Sequence, residues 1–102
     1  MSSEKLLRRI ILFRFKDDAS KEQVDETGKA FLALLDQVKT IQDIEWGNAV
    51  HNPESYTHCL LVTFQTEADM QVYEEHPAHI AIGEKYGHLV QDLAALDYWS
   101  KE

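Results

Sequence analysis

The residues best suited to acid–base chemistry are concentrated between positions 72 and 88, where three histidines and two tyrosines lie close together. Tyr73, His76 and His79 follow one another at intervals of three, across a helix break expected at Pro77. His79 falls in the first turn of the helix that Pro77 begins, where the positive end of the helix dipole favours a neutral imidazole. We therefore predict that His79 acts as a general base and that the hydroxyl of Tyr73 hydrogen-bonds a carbonyl beside it.

These histidines also have structural interpretations. His76 precedes a proline at a helix junction, and we favour a capping role for it at the end of the preceding helix. For His79 the catalytic and the structural interpretation both stay open. The spacing of His76 and His79 could suggest a metal site, but no third ligand lies at a predictable spacing and Pro77 disrupts the helix. No metal site and no cofactor are therefore predicted.

Two further polar residues lie in predicted strands. Asp97 lies between Leu96 and Tyr98, where a carboxylate needs a partner. The imidazole N–H of His79 is one option, and this contact would fix the tautomer of the base. His58 lies on an apolar strand face, where a histidine is more often a satisfied core residue than a functional one.

The elements that must position these residues follow from switches between helical and strand periodicity. Ser20 and Gln23 form a capping-box pair at the start of the first helix, and Thr66 with Asp69 caps a second helix that ends at Pro77. The order β-α-β-β-α-β predicts an α+β, ferredoxin-like fold with a four-stranded antiparallel sheet and helices on one face. The predicted strands span 8–15, 44–50, 57–65 and 93–100, with a turn at 51–55 around Pro53 and a last helix at 78–91.

One glycine interrupts the apolar stripe of the first helix. Gly28 lies on the same face as Val24 and Phe31. Glycine costs a helix up to about 1 kcal/mol relative to alanine. We therefore expect either that another group approaches Gly28 closely or that a pocket is left open there.

The sheet is predicted to be apolar on both faces, although an antiparallel sheet with one wet face should alternate apolar and polar residues. The helices can cover only one face. The other face would expose an apolar patch larger than the few hundred Å² that soluble monomers usually have. We predict a homodimer that self-associates through the second face and is built around a buried cavity, in preference to coverage by the short, polar termini. The alternating sets in the third strand are His58, Leu60, Val62 and Phe64 against Cys59, Leu61 and Thr63.

Composition narrows the class of protein. The chain has 102 residues, which we interpret as a single domain spanning 1–102. Its formal net charge of −8 disfavours nucleic acid and anionic membrane as partners. The lone Cys59 fits a reducing compartment, and the short apolar stretch near the start is not a secretory signal, so a cytoplasmic location is expected.

Five segments together resemble the stress-responsive A/B barrel (Dabb) family, in the right order from Arg8 to Trp99. Within the family the sequence is most similar to the plant olivetolic acid cyclase type, a cofactor-free polyketide cyclase. The resemblance implies a dimeric α+β barrel with a cavity between the sheet and the helices of each subunit. The segments are RRIILFRFKDD, IEWGNAV, YTHCLLVTF, YEEHPAH and LDYW.

The resemblance also implies roles for individual residues. In the cyclase, a histidine is the general base for an intramolecular aldol closure, and the matching residue is His79. The assisting tyrosine matches Tyr73, and the aspartate that supports the histidine matches Asp97.

Four positions are candidates for substrate binding on the same basis. The strand histidine of the cyclase matches His58. Arg9 stands where the cyclase has another histidine, and Gly28 and Phe31 stand at two aromatic pocket positions. The loss of one ring and a hydroxyl implies a cavity of different shape.

Three hypotheses for function follow. The first is a protein that binds a small, mostly apolar carbonyl compound, with polyketide-cyclase-like catalysis by His79, Tyr73 and Asp97. The second is a non-catalytic stress-responsive barrel protein. The third, ranked lower, is a cofactor-free monooxygenase or haem-degrading relative, since no haem ligand can be identified among the histidines.

Overall fold

A computed structural model describes residues 5–51 and 55–101. These residues form a four-stranded antiparallel sheet with strand order β2-β3-β1-β4 and three α-helices, which is the predicted ferredoxin-like α+β fold. The turn predicted around Pro53 lies outside the described residues. The elements are β1 (Leu7–Phe15), α1 (Lys21–Gln37), β2 (Asp43–Asn48), β3 (His58–Phe64), α2 (Glu67–Glu75), α3 (Pro77–Tyr86) and β4 (Val90–Trp99), with a 3-10 turn (Gly87–Leu89) before β4.

The helices begin at the predicted caps. At α1, the Ser20 hydroxyl accepts from the backbone N–H of Gln23 at 3.1 Å, and the Gln23 side chain accepts from the N–H of Ser20 at 2.9 Å. At α2, the side chain of Thr66 accepts from the N–H of Asp69 at 3.0 Å. These bonds satisfy amides that have no partner within the helix, so the predicted starts are confirmed.

His76 joins α2 to α3 with both its backbone and its side chain. Its backbone N–H donates to the carbonyl oxygen of Tyr73 at the end of α2, as its predicted capping role requires. Its Nδ1 also accepts from the N–H of Ala78 at 3.0 Å, which begins α3. Because one residue ends one helix and starts the next, the break at Pro77 is held in a fixed geometry.

Two predicted boundaries were wrong at the ends of β2 and α3. β2 ends at Asn48, and Val50 beyond it is 92% exposed. α3 ends at Tyr86 because β4 continues its pairing with β1 back to Val90, which lies opposite Phe15. The residues predicted as the last turn of the helix therefore belong to the 3-10 turn and to β4.

The two faces of the sheet differ in what covers them. The face toward the helices carries the hydrophobic core, including Phe13, Leu60 and Val62. The opposite face carries apolar residues that do not belong to this core, and Leu96 there is 63% exposed. None of the described helices combines the length and apolarity that a membrane span needs. The apolar residues on the opposite face include Ile10, Leu12, Leu61, Leu96 and Tyr98.

Candidate functional site

A cavity of about 270 Å³ lies where α3 packs against α1 and the sheet. Its walls are mainly aliphatic and aromatic, and His79 and Glu74 provide polar groups at one side. A volume just below the roughly 300–1,000 Å³ of pockets for drug-sized molecules suits a small organic ligand. The lining residues that matter below are Phe13, Phe31, Glu74, His79, Gly83 and Leu93.

His79 is held at this wall by the end of α2. Its Nδ1 lies 3.2 Å from the backbone carbonyl oxygen of Glu74. Because a carbonyl oxygen can only accept, a hydrogen bond here places the proton on Nδ1 and leaves the lone pair on Nε2. The His79 ring also packs on the ring of Tyr73, with 4.3 Å between centroids. The arrangement presents an oriented imidazole that can take up a proton.

Tyr73 packs behind His79, is fully buried with 0% exposure and is not itself among the residues that line the cavity. Its ring packs on Phe64 at 5.3 Å, and its hydroxyl makes no hydrogen bond within the described part of the chain. Burial raises the pKa of this hydroxyl to about 12, with the positive charge of Arg9 acting in the opposite direction. The phenol is therefore protonated at neutral pH and available as a donor, and an unmet buried donor costs free energy.

Asp97 does not take the partner considered from the sequence. The structure pairs its carboxylate with Arg9, at 2.8 Å from Nε and 3.0 Å from Nη2, and not with His79. Nη1 of Arg9 donates to the side chain of Glu74 at 2.7 Å. The hydrogen bond from Arg9 lowers the pKa of Asp97, and the same contact raises the pKa of Arg9. The pairing follows from register, because Arg9 and Asp97 lie opposite each other in β1 and β4.

Gly28 meets an indole ring. A Cβ atom at Gly28 would lie only 2.5 Å from Nε1 of Trp46, so the close approach expected there is found. Trp46 is stacked with Phe31 at 6.1 Å and tilted against Phe13 at 5.3 Å. Gly28 is thus separated from the cavity, whereas Phe31 contributes to both regions.

His58 belongs to the same aromatic group and lies away from His79. It stacks on Trp46 at 5.4 Å and meets Phe15 edge to face at 5.4 Å. Its Nδ1 lies 2.7 Å from the hydroxyl of Thr57. Burial lowers the pKa of His58, while the charge of Asp25 opposes the shift. His58 is half-buried and does not line the cavity beside His79, but it lines a separate pocket of about 560 Å³ together with Phe15 and Thr57.

Two contributors to the site were missed from the sequence. Glu74 lines the cavity, its backbone carbonyl orients His79, and its carboxylate accepts from Arg9. Gly83 lines the cavity, and a Cβ atom there would meet nothing within 4 Å. The helix axis changes direction between α2 and α3, so the periodicity of one helix does not predict which residues of the other face the cavity. Glu74, near the end of α2, could therefore not be assigned to the cavity from the sequence. An isolated glycine within α3 was the available signal for open space.

Fold and site together define a ferredoxin-like α+β domain with an apolar cavity under its helices and an oriented histidine in the cavity wall. The stress-responsive A/B barrel domain model matches residues 7–100, so the chain belongs to the stress-responsive A/B barrel family. It is 32% identical over 95 residues to olivetolic acid cyclase from Cannabis sativa, covering 90% of this chain and 94% of that protein.

Solved structures show the same fold. A hydroxynitrile lyase from Passiflora edulis superposes with a TM-score of 0.89 at 19% identity, covering 98% of this chain and 97% of that one. A protein of unknown function from Bacteroides fragilis, described as dimeric and ferredoxin-like, superposes with a TM-score of 0.79 at 27% identity. That match covers 91% of this chain and 94% of the other.

Proposed function

We propose that the protein binds a small, mostly apolar carbonyl compound in the cavity beside His79 and moves a proton on it without a cofactor. The observation that carries this proposal is the packing of a buried phenol, whose hydroxyl has no partner among the described residues, against an oriented imidazole in the cavity wall. The phenol of Tyr73 is protonated, and its ring is 4.3 Å from that of His79. The Tyr73 hydroxyl lies behind the lining residues, so the proposal requires a ligand carbonyl to enter beside the His79 ring, where it would supply the missing acceptor.

The chemistry follows from these two groups. Nε2 of His79 takes a proton from the carbon next to the carbonyl, and the C–H electrons form an enolate. The Tyr73 hydroxyl donates to the enolate oxygen, where negative charge develops. In a cyclase-like reaction, the enolate carbon attacks a second carbonyl of the same molecule, a C–C bond forms, and the new alkoxide regains the proton from His79. The similarity to a relative named as a cyclase supports this version.

We propose a supporting part for Asp97. It does not contact His79 but fixes Arg9, which in turn binds the side chain of Glu74. Since the backbone of Glu74 orients His79, Asp97 acts through two intermediates. Its role is positioning.

The proposal includes a homodimer. The face of the sheet away from the helices leaves Leu96 63% and Tyr98 39% exposed. Pairing two copies of this face would bury those side chains with Ile10 and Leu12. A related structure described as dimeric supports this assembly.

Exchange of α-protons in D2O tests the chemistry. With 2-indanone as probe, we expect the wild-type protein to accelerate exchange, His79→Gln to abolish the acceleration and Tyr73→Phe to reduce it at least about tenfold. His88→Gln is the matched control, because His88 is exposed and lies outside the cavity lining. Acceleration that survives His79→Gln would contradict the catalytic role of His79.

One observation favours a second, non-catalytic function. The contact between His79 and Glu74 also satisfies a carbonyl at the C-terminal end of α2, which is a structural use of the histidine. A protein that binds 2-indanone in the cavity, shifts its NMR signals and does not accelerate exchange would be a ligand-binding barrel only.

A further inference from the structure

We propose that the cavity selects an uncharged ligand and that Glu74 is the residue that sets this selectivity. The inference rests on the proposed function, because it concerns the ligand of the same cavity. Among the described residues that line the cavity, Glu74 is the one that carries a formal charge when His79 is neutral. The inference is that the Glu74 carboxylate makes this side of the cavity negative to an entering ligand.

The cation behind this wall is already engaged. Arg9 donates through Nε and Nη2 to the carboxylate of Asp97 and through Nη1 to Glu74. One guanidinium is thus shared between two carboxylates, and the three groups together carry a net negative charge. Within the described part of the chain, this cluster offers an entering anion no unpaired cation.

The rest of the cavity makes the exclusion stronger. Ile11, Phe13, Ile82 and Leu93 cannot replace the hydration that a carboxylate loses on entry. The Glu74 side chain is 45% exposed, so its repulsion of an entering anion is moderated by solvent and adds to the desolvation cost instead of replacing it. A ketone avoids both costs because it carries no charge, and its oxygen needs a single donor, which the proposed contact with the Tyr73 hydroxyl behind His79 would supply.

An arginine near a cavity usually indicates a carboxylate ligand, since the guanidinium matches that group in shape. The bidentate contact with Asp97 fills that role within the protein. The arginine at position 9, where the cyclase type has a histidine, therefore does not create a binding site for an anion. Together with Glu74 and Asp97, it makes the wall anionic.

Acetophenone and benzoate test the inference, because they have nearly the same shape and differ in charge. Titration of ¹⁵N-labelled protein should show that acetophenone binds at least about tenfold more tightly than benzoate. In Glu74→Gln, we expect benzoate affinity to rise at least about fivefold and acetophenone affinity to stay within about twofold. The substitution keeps the backbone carbonyl that contacts His79, so the base stays oriented.

Glu75→Gln is the matched control. It makes the same change in net charge one residue away, but Glu75 is outside the cavity lining and its carboxylate accepts from Gln71 at 3.1 Å. We expect no change in the affinity ratio for this variant. Equal wild-type affinity for the two probes, or equal effects of the two substitutions, would overturn the inference and leave the proposed function standing. Failure of both probes to bind would remove the proposed function, and the inference with it.

Discussion

Each end of the helix–sheet interface contains a helical glycine, but the space beside the glycine is filled at one end and open at the other. At one end, Gly28 of α1 admits the indole of Trp46, and the space is filled by stacked rings. At the other end, Gly83 of α3 has no neighbour within 4 Å of a Cβ position, and the space stays open as the cavity. Aromatic packing thus fills the space beside Gly28, which we call the closed end, although a separate pocket lies on the far side of His58, and the missing side chain at Gly83 leaves the other end open.

The difference separates residues that stabilise the fold from residues that are free to act on a ligand. The closed end contains His58, whose ring and Nδ1 are both engaged. The open end has His79 in its lining, and Tyr73 packs directly behind that ring with a hydroxyl that has no partner among the described residues. Substitutions that disturb the closed end should lower stability, whereas the open-end substitutions considered below should change binding or packing without lowering stability.

Removal of the indole should have the largest effect. We expect Trp46→Ala to lower the free energy of unfolding by about 3–5 kcal/mol, because it leaves a cavity among Phe13, Phe31 and His58. Urea unfolding measures this loss. A loss below about 1 kcal/mol would mean that the aromatic end is not the stabilising region.

Removal of the buried hydroxyl should act in the opposite direction. Tyr73→Phe takes away a donor that is unpaired in the described structure and keeps the ring against Phe64 and His79. We expect the free energy of unfolding to rise by about 1–2 kcal/mol, while affinity for acetophenone falls. Urea unfolding and NMR titration of the same sample test both parts. A destabilised variant would show that the hydroxyl has a partner in solution.

Substitution of the two glycines by alanine should change the free energy of unfolding in opposite directions. Gly28→Ala gains helix propensity but drives a methyl group into Trp46, so we expect a net loss of about 1 kcal/mol. Gly83→Ala gains propensity in open space, so we expect a gain of about 0.5–1 kcal/mol. Thermal unfolding of both variants measures the difference. Changes of the same sign would mean that the two ends are equally packed.

The smallest expected effect is the contribution of His58 to the pH dependence of stability. Burial lowers the pKa of His58, so the fold prefers a neutral imidazole, whereas the unfolded chain titrates near about 6.5. The contribution of His58 is complete above that pH and is lost as pH falls through the lowered folded-state value. His58→Gln should remove this part of the pH dependence of urea unfolding. An NMR titration midpoint of His58 above 6.5 would contradict the burial argument.

The fold could be predicted from local signals because those signals agree with one another. Ser20 with Gln23 and Thr66 with Asp69 mark the helix starts, and Pro77 marks the break. The end of α3 could not be predicted, because it is set by pairing between β1 and β4 and not by the residues of the helix.

The site was less predictable for the same physical reason. The proximity of Tyr73 and His79 follows from their spacing across the break. The partner of Asp97 depends on the register that places Arg9 opposite it, which no local pattern contains. Likewise, the close approach at Gly28 was expected, but Trp46 could be identified as the neighbour only once β2 was placed under α1.

Mapping a ligand by NMR tests the central claim most directly. Acetophenone added to ¹⁵N-labelled protein should shift the backbone amide signals of His79, Gly83 and Gly87, which line or border the open end. The indole N–H of Trp46 and the amide of Gly28 should not move, because their space is already filled. Shifts concentrated on Trp46 and Gly28, with none at Gly83, would contradict the division of the molecule into a closed, stabilising end and an open, binding end.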